Sequence, residues 1–282
     1  MPEHNKYNNQ YKKDLELSGI KPSKRLGQNF IFDKNILNKI ARLINPSACD
    51  LIIEIGPGHG GLSEALINNN AKKILLIEKD IQFLHLLNDF KSKYPDQVDI
   101  RFEDATNFNF DFADYQNISI VSNLPYNVAT KILILLLKTQ YSTNKLKNMI
   151  LMFQKEVAQR ITANYGNKHY GRLSIVSQYL YQCNIEFDLN PAIFFPKPKV
   201  DSSIVSFKSL RDKSGPDIKM LENVTRMAFS QRRKKIKTSL KDLITVAELT
   251  QKLDIDVDLR AEQLSPNDYF KISKYLEKRT NP

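Results

Sequence analysis

Cysteine is scarce in this chain: its 282 residues include only Cys49 and Cys183, and neither has a partner at metal-ligand or redox-motif spacing. Two isolated thiols argue against a zinc site, thiol chemistry or a disulfide framework, and they are expected to be reduced and buried. Long hydrophobic runs are also missing. The longest, ILILLL from Ile132 to Leu137, falls far short of the roughly 20 apolar residues a membrane-spanning helix needs. The N-terminus, MPEHNKYNNQYKKD, has no apolar core and no small-residue cleavage site, so a secretory signal is not expected and a cytoplasmic location is. Acidic residues are the minority charge: 31 Asp and Glu face 42 Lys and Arg, a formal net charge of +11. With 41% hydrophobic, 10% aromatic and 26% charged residues, the composition is that of a globular chain able to build a core, which excludes a disordered or fibrous protein.

The charge is unevenly spread. Residues 35–130 carry eight basic and twelve acidic side chains, whereas residues 131–182 carry eight basic and only Glu156 on the acidic side. Residues 1–34 and 211–282 are also net basic. An acidic block inside a basic frame suggests a small-ligand site in the first and a polyanion-binding surface built from the others.

From Asp50 onward short apolar runs alternate with segments of helical periodicity. The runs are LIIEI (Leu51 to Ile55), ILLIE (Ile74 to Glu78), VDIRFE (Val98 to Glu103), ISIVS (Ile118 to Ser122) and MILMF (Met149 to Phe153). Strands rich in Ile, Leu and Val, separated by amphipathic helices, predict an α/β fold with a parallel sheet covered on both faces. A further strand is expected at VDSSIVSF (Val200 to Phe207), followed by a linker at RDKSGPD (Arg211 to Asp217). The expected organisation is a polar tail at 1–23, a Rossmann-like domain at 24–210 and a small helical domain at 217–282.

After the first strand of that series comes EIGPGHGGL, Glu54 to Leu62. Glycines at alternate positions between strand and helix let the backbone approach a ligand, and the helix N-terminus offers free N–H groups. Glu78 lies 22 residues beyond Gly56, the spacing of an acid that accepts hydrogen bonds from ribose hydroxyls. A nicotinamide dinucleotide and S-adenosylmethionine both carry that ribose, so Glu78 does not separate them. Asp104, in FEDAT at the end of the next strand, is placed to accept a bond from an adenine amine.

The fourth strand runs into NLPYNVAT, Asn123 to Thr130. Methylation of an aromatic exocyclic amine needs two hydrogen-bond acceptors at that nitrogen, to favour pyramidalisation and localise its lone pair. Asn123 Oδ1 and the backbone carbonyl of Leu124 are suited to this, Pro125 stiffens the loop, and Tyr126 offers a face for an extruded base.

These segments, together with KRLGQNFIFD, IEKD, FQKEVAQRI, YGRLSIVSQ, FFPKPKVDSSIVSF and AFSQRRKKIKTSL, resemble the KsgA-type ribosomal RNA adenine dimethyltransferases, from Lys24 nearly to the end of the chain. That family dimethylates two adjacent adenosines near the 3′ end of small-subunit rRNA. It uses S-adenosyl-L-methionine, releases S-adenosyl-L-homocysteine, and combines a Rossmann-like domain with a small helical one. The resemblance implies that Asn29 and the backbone at Ile31 touch the cofactor, that Gly56 lines its methionine side, Glu78 its ribose and Asp104 its adenine, and that Asn123 bridges cofactor and base. It also implies that Phe194 or Phe195 is a second aromatic wall of the base pocket. One departure is Lys131, where the family often has proline. The basic run Arg232, Arg233, Lys234, Lys235 and Lys237 fits phosphate contacts to 16S rRNA in the assembling subunit. A monomer without a membrane partner is expected. Two other readings are a large-subunit rRNA dimethyltransferase and a non-catalytic RNA-binding assembly factor on the same scaffold.

Overall fold

A computed structural model describes Leu15, residues 19–210 and residues 215–280. Most of the polar tail expected at 1–23, and residues 211–214 of the expected linker, lie outside the described residues. In chain order the elements are β1 (Phe30–Ile31), α1 (Lys34–Leu43), β2 (Leu51–Ile55), α2 (Gly61–Asn68), β3 (Ile74–Glu78), α3 (Leu84–Lys93), β4 (Val98–Phe102), β5 (Ile118–Ser122), α4 (Tyr126–Thr143) and β6 (Leu146–Gln154). They continue with α5 (Lys155–Thr162), α6 (Arg172–Leu180), β7 (Tyr181–Leu189), β8 (Phe194–Phe195), β9 (Ser202–Ser209), α7 (Ile218–Ser230), α8 (Ile236–Ser239) and α9 (Pro266–Thr280).

Seven strands form one sheet in the order β4-β3-β2-β5-β6-β9-β7. The first five run parallel and β9 pairs antiparallel to β6. Every residue of β2, β3 and β5 is buried. Both faces of these strands must therefore be covered, which is why they read as unbroken apolar runs. Each fully buried Ile or Leu there contributes about 1.5–3 kcal/mol. From β2 the chain steps outward to β3 and β4, then returns to place β5 on the other side of β2. That reversal opens a crevice at the carboxyl ends of β2 and β5, where doubly wound sheets bind ligands.

The six strands expected from the apolar runs all form. Strand β7 was not anticipated. Its sequence, YQCNIEFDL, is mostly exposed or half-buried between two buried ends, so it lacks the apolar run that betrays a central strand. The two-residue β1–β8 ladder, pairing Phe30 with Phe195 and Ile31 with Phe194, is too short to leave a periodic signal.

The chain divides into two compact units, and the division differs from the expected one. One unit takes the described residues up to Lys155 together with Asn184–Lys208; the other takes Glu156–Cys183 and the residues from Ser209 onward. Helix α6, expected in the first domain, belongs to the second because it packs on α7 and α9. The reason is aromatic: Tyr179 lies against Phe270 with ring centroids 5.0 Å apart, and Tyr170 meets Phe229 edge-on at 6.3 Å. The hydroxyl of Tyr179 also donates to the Pro216 carbonyl at 2.6 Å. Cys49 is buried and Cys183 half-buried; both are free thiols.

Candidate active site

The turn after β2 is built by glycine. Gly56, Gly58 and Gly60 have φ of +70°, +54° and +80°, a region that side chains with a Cβ rarely adopt. A Cβ on Gly58 would sit 2.9 Å from Phe30 Cε1, whereas one on Gly56 would meet nothing within 4 Å. Gly56 instead faces a cavity of about 270 Å³ at the carboxyl ends of the parallel strands. Asn29, Glu78, Asp104, Asn123, Leu124 and Pro125 also line it, so seven of the nine residues expected to serve the cofactor or the catalysis converge on one space.

Each carboxylate is held by identifiable donors. Glu78, 6% exposed, accepts from the N–H of Gly58 at 3.1 Å on one oxygen and from the N–H of Asp80 at 2.8 Å on the other. Burial raises its pKa against the opposing pull of these donors. Asp104 is more open; Lys79 Nζ lies 2.6 Å from its Oδ2 and the Thr106 N–H donates to Oδ1. The Lys79 bond is the main reason its carboxyl is held down at about 2. Below the turn, Glu54 is fully enclosed and accepts from the Ser63 hydroxyl at 2.6 Å. Burial outweighs that bond and pushes its pKa up to about 8.

Asn123, the residue after β5, donates from Nδ2 to the backbone carbonyl of Asn29 at 2.8 Å. This commits the amide nitrogen and leaves Oδ1 to act as acceptor. The segment supplying that carbonyl runs along the cavity from Arg25 to Phe30 and is pinned by Gln28. The Gln28 amide donates to Asp80 Oδ2 and its oxygen accepts from the Ser23 N–H, both at 2.7 Å. Gln28, Asp80 and Lys79 were not singled out in the sequence. The neighbouring motifs GQNF and IEKD contained them, but the Gln28–Asp80 and Lys79–Asp104 bonds join residues 52 and 25 positions apart.

Four expected site residues do not line the cavity. Ile31 does not line the cavity; its carbonyl is 3.0 Å from His59 Nε2. Tyr126 opens α4 half-buried, with its hydroxyl 2.6 Å from Ser202 Oγ. Phe194 is a core side chain at 4% exposure, while Phe195 is 38% exposed and lies 6.3 Å from Phe32. Of the two phenylalanines only Phe195 is exposed, because alternation along a strand sends only one of the pair outward.

In the helical unit the basic run is partly self-neutralised. Arg232 pairs with Glu262 at 2.6 Å, and Lys235 and Lys237 both pair with Asp258, at 3.0 and 2.7 Å. Arg233 and Lys234 are exposed and have no ion pair among the described residues.

A parallel sheet with one antiparallel strand inserted near its edge, a glycine turn after its central strand and carboxylates ending the next two strands define a Rossmann-like methyltransferase fold. The chain belongs to the ribosomal RNA adenine dimethylase family, whose model matches residues 19–278. It is 38% identical over 265 residues to the ribosomal RNA small subunit methyltransferase A of Agrobacterium fabrum, covering 93% of this chain and 95% of that one. The protein of the same name from Zymomonas mobilis is 36% identical, with 92% and 93% covered. In fold, the chain is similar to a crystal structure of a dimethyladenosine transferase from Plasmodium falciparum. The TM-score is 0.76 at 24% identity, with 87% of this chain and 96% of the other covered.

Proposed function

We propose that this protein transfers methyl groups from S-adenosyl-L-methionine to the N6 amines of two adjacent adenosines in the 3′-terminal hairpin of 16S rRNA. It does so as a cytoplasmic monomer acting on the assembling small subunit. The observation that carries this reading is the Asn123–Asn29 bond, which turns an amide on the cavity wall into a fixed acceptor. The cavity suits the cofactor: the open face of Gly56 admits close approach of a ligand, two carboxylates end adjacent strands, and the acidic lining favours a cationic sulfonium. Glu78 would hold the ribose hydroxyls and Asp104 the adenine amine.

The cofactor, when bound, supplies a methyl group made electrophilic by its sulfonium. The remaining work falls to the protein. An adenine N6 is a poor nucleophile because its lone pair is delocalised into the ring. Asn123 Oδ1 and the Leu124 carbonyl accept its two N–H bonds and draw it toward a tetrahedral shape, which returns the lone pair to nitrogen. When bound, the cofactor would release this methyl from its sulfonium as the N–C bond forms, and the resulting anilinium-like cation gives up its proton without a strong base. Tyr126 and Phe195 are the faces between which the extruded base is held, and Pro125 fixes the intervening loop.

The test uses labelled S-adenosylmethionine and immature small subunits, with large subunits in parallel. Label in N6,N6-dimethyladenosine of small-subunit RNA is expected. Asn123→Ala should lower its formation by about a hundredfold or more while subunit binding persists. Unlabelled small subunits, or label only in large ones, would overturn the assignment.

A further inference from the structure

We infer that Tyr165 is a stacking platform for an unpaired RNA base, held in place on the helical unit by Arg232 and Glu262. The inference rests on the RNA-modifying reading above and deepens it. Among the described residues the only exposed aromatic side chains are Phe195 and Tyr165, at 38% and 59% exposure. Phe195 belongs to the proposed base pocket, whereas Tyr165 has no role there.

The local geometry explains why it stands out. The Asn167 N–H donates to the Asn164 carbonyl at 3.2 Å, which closes a turn with Tyr165 and Gly166 at its centre. Gly166 has φ +81°, the conformation glycine permits at the third position of such a turn. That leaves Tyr165 at the tip. The segment is tied at two points: the Gly166 N–H donates to the Glu262 carbonyl at 2.9 Å, and Arg232 Nη2, from the basic run, donates to the Lys168 carbonyl at 2.6 Å. Arg232 Nε closes the circuit on Glu262 Oε2, also at 2.6 Å. Behind the turn, the fully buried Tyr170 packs against Phe229.

This reassigns Arg232. With its Nε and Nη2 committed to Glu262 and Lys168, it positions the turn rather than a phosphate. The cations left to meet RNA are Arg233 and Lys234, one and two residues further on, and the exposed Lys168 just past the turn. An aromatic face rising from a rigid turn among uncommitted cations is how single-stranded RNA is gripped: bases stack on the ring while the charges track phosphates. Unpaired bases are the ones free to stack, which directs Tyr165 to a loop or flank of the substrate rather than to a duplex.

The absence of tryptophan from the chain makes the test direct, because Tyr165→Trp installs a single emitter at the tip of the turn. The probe is a synthetic RNA hairpin with single-stranded flanks, and inorganic polyphosphate serves as a polyanion without bases. Emission excited at the red edge of indole absorption should be quenched by the hairpin and not by polyphosphate. Tyr165→Ala should weaken hairpin binding, read by anisotropy of a labelled hairpin, by about fivefold to a hundredfold, and Tyr165→Phe should preserve it. Binding by wild-type protein with no quenching in Tyr165→Trp, or with Tyr165→Ala unaltered, would overturn the role of Tyr165 and leave the RNA reading intact. Wild-type protein that neither binds the hairpin nor methylates small subunits would overturn both.

Discussion

Glu54 shows how far a side chain's neighbours decide its chemistry. Its carboxyl titrates near 8 in the folded chain against an ordinary 4.5, so the folded state holds a proton that the unfolded state would release. The stability this contributes is full below about pH 4.5 and is withdrawn as the pH climbs toward 8. Glu54→Gln keeps an acceptor for the Ser63 hydroxyl and removes the ionisation. Its melting temperature should therefore fall less between pH 5 and 8 than that of the wild type; parallel curves would show that the carboxyl does not titrate there. The phenylalanine pair divides in a similar way. Phe194→Ala should cost about 3–5 kcal/mol of stability, measured by denaturant unfolding. Phe195→Ala should leave stability nearly unchanged and reduce methyl transfer. The family resemblance brought both residues to notice but could not choose between them, since strand pairing alone sets which one turns inward.

At the scale of elements, the parallel strands were legible because burial on both faces writes them as apolar runs. Strand β7 and the β1–β8 ladder were not, the first because it is mostly polar and the second because two residues carry no period. The segment from Ser23 to Ile31 was legible only as a motif; its position depends on the Gln28–Asp80 and Asn29–Asn123 bonds, which close over long sequence separations. Gly58 is where this segment meets the glycine turn. Gly58→Ala places a Cβ against the Phe30 ring at a strained φ and should cost about 1–3 kcal/mol of stability. Calorimetry with S-adenosylmethionine should show weaker binding as well. Unchanged binding would mean that the segment does not depend on this contact.

Over the whole molecule, the basic surplus suggested a polyanion from composition alone, but composition does not distinguish a charge that meets a partner from one already spent on a neighbour. Arg232, Lys235 and Lys237 are spent on Glu262 and Asp258. Neutralising Arg233 or Lys234 should therefore each lower the slope of log affinity against log salt by about 0.7–0.9. Lys235→Ala should change it much less. Equal changes at all three positions, measured by RNA titration from low to high salt, would show that the ion pairs open on binding. The boundary between units escaped the sequence for a related reason: α6 looks like any helix of an alternating α/β chain, and the helices it packs on, α7 and α9, lie far along the sequence.

The bond between the Asn123 amide and the Asn29 carbonyl also bears on how the reaction stops. Adenine arrives with two N6 hydrogens to offer the two acceptors, keeps one after the first transfer and has none after the second. An asparagine free to rotate could present its NH₂ group instead and retain the finished base. With one amide N–H held by the Asn29 carbonyl, Oδ1 is left as the acceptor for the base on the proposed reading, and a dimethylated nitrogen would have no hydrogen to give it. On that reading the acceptors would act as a counter, and the product would leave when the count reaches zero.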